Sequence, residues 1–143
     1  MKKLTLVLLV IVVAILSWIV IIKRNEEVFT NEWSIVEVGI NNPDPIYLKN
    51  CIWGMGSNSE LIFVSNNTNK DLNSSKNSDY VFSSGAPIFY KLESDTLIVF
   101  TTEIAIEPSV FESNFVIEQR KINNVEFIKM DKEFKQLGLN KFP

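Results

Sequence analysis

The chain contains no histidine, and that absence removes several chemistries at once. Without imidazole there is no Cys-His nucleophile, no Ser-His-Asp triad, no HExxH site and no histidine-based zinc centre. A single cysteine, Cys51, rules out an intramolecular disulfide framework. Gly54-Met55-Gly56 lacks the third glycine and the GK[ST] ending of a phosphate loop, and no clear helix follows it. The stretch Asn67-Thr68-Asn69-Lys70-Asp71 alternates oxygen ligands but has Lys70 inside it and no loop glycine or terminal Glu of an EF-hand. No metal and no cofactor is therefore expected. Basic residues are also scarce beyond position 24. Lys2, Lys3, Lys23 and Arg24 are four of the 14, whereas all 17 acidic residues come later. Residues 25–143 thus carry ten basic against 17 acidic side chains, a formal charge of −7. Such a surface repels phosphate backbones and excludes nucleic acid as a partner.

What the chain does have is a long apolar run. Leu4 to Ile22 (LTLVLLVIVVAILSWIVII) contains no charge. As a helix it would measure about 28 Å, close to the hydrocarbon thickness of a bilayer. Trp18 falls near its far end, and two basic residues flank each side. The run reads as a signal-anchor, a single-pass transmembrane helix and the membrane partner of the protein. A cleaved signal peptide is the alternative, with Val12-Val13-Ala14 before the cut, but mostly apolar residues continue beyond it. A buried soluble helix is a third, needing a core apolar on all sides. The short charged tail favours an extracytoplasmic domain. Absence of a cysteine after the run leaves lipoprotein attachment without support. The expected organisation is an anchor with basic flanks at 1–24, a linker at 25–32 and a globular domain at 33–143.

From Trp33 onward the pattern changes to short apolar runs broken by turn residues. Trp33–Val38, Ile46–Trp53, Leu61–Ser65, Tyr80–Ser83 and Phe115–Ile122 read as strands, the first ended by Gly39. Ile88–Glu93 and Thr96–Thr101, joined by Ser94-Asp95, predict a hairpin. LIVF within the second arm does not alternate, the mark of a strand covered on both faces. Asn66 to Asp79 has one apolar residue, Leu72, and reads as an exposed loop, more simply a tolerated insertion than a functional element. At the C-terminus the period becomes helical. Phe127, Met130, Phe134 and Leu137 recur at three and four residues over 125–137. Asn123 with Glu126 resembles a capping box, and Gly138 fits a stop. The fold class expected is therefore α+β: the transmembrane helix, then a small, mainly antiparallel β domain with a C-terminal amphipathic helix covering one sheet face.

The stretch with most apparent chemistry is Cys51-Ile52-Trp53-Gly54-Met55-Gly56-Ser57. Strand alternation puts Tyr47, Lys49, Cys51 and Trp53 on one face. Lys49 is the one nearby group able to activate the thiol, and no base accompanies it. The stretch reads as architecture, and no catalytic residue is assigned. Glu37, Glu60, Asp79, Glu93 and Asp95 occur singly near strand ends, which leaves carboxylate hydrolysis as a rival. Trp53, Met55 and Tyr90 are the candidate binding residues, because aromatics and methionine serve interface centres. The expected function is a membrane-anchored, non-enzymatic extracytoplasmic protein-binding or accessory domain with a partner in a bacterial envelope. A small carboxylate hydrolase or a self-assembling envelope protein are the alternatives.

Overall fold

The computed structural model describes residues 11–13, 15–18, 31–39, 44–54, 59–83 and 85–143. Its architecture is mostly β-sheet: two four-stranded sheets and few short helices. This corrects the fold class read from the sequence. Of the apolar run, 11–13 and 15–18 are helical and exposed. No helix among the described residues is long and apolar enough to cross a membrane. The single-pass anchor and the membrane location drawn from Leu4 to Ile22 are thus not supported. The rest of that run, and the linker before residue 31, lie outside the described residues.

The first sheet is an antiparallel meander in the order β1 (Glu32–Val38), β2 (Ile46–Trp53), β3 (Ser59–Ser65) and β4 (Tyr80–Phe82). The second runs β7 (Val116–Lys121), β6 (Thr96–Thr101), β5 (Ile88–Glu93), β8 (Asn140–Phe142). Its β5 pairs antiparallel with both neighbours, but β6 and β7 are parallel, joined by a connection over 102–115. The sheets pack face to face. Val38, Ile46, Leu48, Ile62, Val64 and Phe82 of the first meet Ile88, Leu97, Val99 and Phe142 of the second in one buried cluster. Residues two apart point to the same side of a strand, so each sheet also has an outer face. On β6 the residues Leu97–Phe100 are buried on both faces, which explains why they do not alternate.

Local chemistry sets the ends of these elements. Gly39 closes β1 at φ 79, and a Cβ there would lie 3.1 Å from the Phe115 ring, so both backbone and space select glycine. The β5–β6 turn is Ser94-Asp95, with Ser94 at φ 56. Helix α1 (Leu72–Ser78) is capped by Asp71, whose carboxylate accepts from the Asn73 amide at 3.0 Å. It lies within the segment expected to be a loop.

Helix α2 (Asn124–Glu133) follows β7 and covers the outer face of the second sheet. Asn123 Oδ1 accepts from the amides of Val125 and Glu126, and Glu126 Oε2 accepts from the Asn123 amide at 2.8 Å, a complete capping box. Beyond Glu133 the chain keeps turning to Gly138, at φ 66. There the Gly138 amide donates to the Lys135 carbonyl and the Leu139 amide to the Phe134 carbonyl, the paired bonds of a Schellman stop. Phe127, Met130 and Phe134 pack on Phe89, Ile98, Phe100, Ile122 and Leu139. Leu137, the last residue of the expected stripe, is instead 45 % exposed and lies beyond the end of the helix at Glu133. Replacing Asn123 with alanine should remove about 1 kcal/mol of stability through the lost cap. Urea unfolding of the variant against wild type measures it.

Candidate functional site

Of the candidate binding residues, Trp53 and Tyr90 lie on different sheets and face opposite ways. Trp53 ends β2 on the outer face of the first sheet, half-buried, with Lys76 Nζ 5.9 Å from its ring centre. Tyr90 lies on β5 and packs against the cluster between the sheets, where burial raises its phenol above the usual range. Met55 lies outside the described residues. Gly54 at φ 93 turns the chain out of β2, as its place after a strand implied.

Cys51 is fully buried among Leu61, Phe63 and Val81, with Trp33, Trp53 and Leu72 packed around it. Burial pushes its thiol up from the ordinary value, and the charge of Lys76 draws it back in part. A thiol held protonated at neutral pH is a poor nucleophile. Lys49 is on the same face, as alternation required, but its ammonium is engaged elsewhere. Nζ lies 2.7 Å from Asp79 Oδ2 and donates to Ser75 Oγ and to the Asn69 carbonyl, each at 3.0 Å. Both ionic side chains are wholly buried. Asp79 Oδ1 also accepts from Ser78 Oγ. Three points of 69–79 are thus fastened to one lysine, which explains why an almost wholly polar segment is ordered. The expectation of a loose surface insertion is corrected accordingly.

The other acids are dispersed. Glu60 accepts from Asn50 Nδ2 at 2.7 Å on the first sheet. Glu93 bonds Lys91, and the Asp95 carbonyl accepts from the Val116 amide, at the hairpin of the second. Among the described residues no group of three or more acids and thiols comes together as a metal cluster. An open cleft of about 440 Å³ lies between α1 and the 109–112 segment, lined by Asn66, Asn77, Ser74, Ser78, Ser109 and Glu112 among others. Much of its polar capacity is already used. Asn66 Nδ2 donates to the Glu112 carbonyl, Asn77 Nδ2 to the Asn73 carbonyl and Ser78 Oγ to the Ser74 carbonyl.

The feature with unspent bonding capacity is the edge of the first sheet. β1 pairs with β2 along all seven residues and borders no other described strand. Along an edge strand every second residue points both its backbone N–H and its C=O away from the sheet. Trp33 and Ile35 are half-buried, and Val36 is 40 % exposed. Trp33 is braced from behind by Phe63, ring centres 5.7 Å apart. The remaining edges are blunted. β4 has three residues, and Val81 exchanges two backbone bonds with Ile106, at 3.1 and 3.0 Å. β8 also has three residues. β7 carries Glu118, Arg120 and Lys121, with Arg120 bonded to Glu118. β1 contains no lysine, no proline and no bulge in its register. Edge position depends on strand order, which no local pattern encodes. No protein-family model, no curated protein and no solved structure matches this chain.

Proposed function

We propose that this chain is a non-enzymatic protein-binding domain that takes an extended segment of its partner as an added strand beside β1. The observation that carries this reading is the seven-residue edge itself, which borders no other described strand and carries no lysine, while the other edges are short, bridged or bear basic side chains. Strand addition uses such an edge for main-chain bonds and the alternating side chains for selection. The protonated, buried thiol and the dispersed acids supply no competing chemistry.

Photo-crosslinking in intact cells tests the reading. A photoreactive residue at Ser34, exposed on β1, should yield a discrete protein adduct that disappears when Val36→Lys is added. A lysine on an edge strand opposes further pairing. The same probe at Arg120, on the charged edge β7, should yield none. Equal adducts from both edges, or none from β1, would overturn the proposal.

A further inference from the structure

Among the described residues no cation is paired with either carboxylate of β1. Glu37 faces Tyr47 across the β1–β2 ladder, and Glu32 faces Ile52. Neither makes an ion pair with a described residue, although four such pairs occur elsewhere in the domain. Both lie in a domain whose formal charge from residue 25 onward is −7. We infer that the segment β1 accepts is basic, with cations at two defined positions. This rests on the strand-addition reading above.

Register supplies the positions. All pairings in the first sheet are antiparallel, and residues directly opposite one another in such a pair lie on the same face. An added antiparallel strand therefore meets Trp33, Ile35 and Glu37 on the outer face, and Glu32, Ser34, Val36 and Val38 on the inner. Read from the residue facing Val38 to the one facing Glu32, the complementary segment is apolar, basic, apolar, apolar, small and polar, apolar, basic. A lysine or arginine at its second place sits against Glu37, and one at its seventh against Glu32. The pattern also argues for a heterologous occupant, because a second acidic copy brings net repulsion instead of cations.

The probe is a labelled peptide bearing Val-Lys-Val-Ile-Thr-Leu-Lys, titrated against the full chain by fluorescence anisotropy. Its acidic counterpart, with both lysines replaced by glutamate, and a scrambled peptide of equal charge are the comparisons. The basic peptide should bind about tenfold or more tightly than the acidic one, from two opposed cross-strand pairs changed from attraction to repulsion. It should weaken as salt rises. The double variant Glu32→Lys/Glu37→Lys should reverse that preference. If the basic and acidic peptides bind equally and the variant changes nothing, the basic-partner inference falls while strand addition stands. If the scrambled peptide binds as well as the ordered one, charge alone is at work and the register is refuted. If neither ordered peptide binds, both readings fall. A wild-type dimer in sedimentation that Val36→Lys dissociates would assign the edge to a second copy and overturn the inference.

Discussion

Replacing Lys49 with methionine should destabilise the fold by about 3–5 kcal/mol, the cost of leaving one member of a buried ion pair uncompensated. Asp79 would be left in a fully buried site without its cation, keeping the bond from Ser78 Oγ. Ser75 Oγ and the Asn69 carbonyl would lose their donor as well. Urea denaturation measures the loss. The double variant Lys49→Met/Asp79→Leu separates charge from packing. Removing both ions eliminates the isolated carboxylate, so most of the stability should return. If the double variant is as unstable as the single, the pair is not what the site depends on. Cys51 supplies an independent readout, because Leu72 of α1 packs on the cluster that encloses it. In wild type the buried thiol should resist alkylation under native conditions. In the single variant, with 69–79 unfastened, it should react at least tenfold faster; an unchanged rate would mean that the lysine does not hold the segment down.

Truncating Phe89 to alanine should cost a similar amount, about 3–5 kcal/mol, by removing a large core side chain and leaving a cavity. Phe89 is fully buried on the outer face of the second sheet. Its ring centre lies 5.5 Å from that of Phe127 and 6.3 Å from that of Phe134. Helix α2 buries none of its own residues completely, so its attachment relies on this aromatic contact more than on depth. A ten-residue helix is also too short to persist by propensity alone. Hydrogen exchange should therefore accelerate across Asn124–Glu133 more than across β2 and β3. Uniform acceleration would show that the helix is coupled to the whole domain rather than held through Phe89.

Much of the domain was legible because its strands carry strong local patterns. Ile46–Trp53, Ile88–Glu93 and Thr96–Thr101 lie where short apolar runs and turn residues placed them. Asn123 and Gly138 were legible too, since capping depends on residues three or four apart. The misses have a common cause in distance. Helix α1 has one apolar side chain and seven residues, and its order comes from Lys49, which bonds Ser75 across 26 positions of sequence. Strand β8 is three residues long, shorter than any pattern that alternation can define. The apolar run at 4–22 has the composition of a membrane span, but no helix among the described residues is long and apolar enough to cross one. Of the candidate site, Trp53 and Tyr90 have the right chemistry for recognition. The sandwich, however, directs one outward and the other toward the core. The open edge of β1 is a consequence of strand order, and only the assembled sheet reveals it.

The connection over 102–115 bears on how the domain comes apart. Each sheet is built from one contiguous half of the described chain, β1–β4 and then β5–β8. Such halves are natural units of sub-global opening, able to exchange their amides independently. The connection works against that separation. It leaves β6 of the second sheet, bridges Val81 of the first through Ile106, seats Ala105 and Phe115 in the shared core, and returns as β7. Opening either half must release this strap. The most protected amides of both sheets should thus exchange in a single cooperative step, and cutting the strap should let one half breathe without the other.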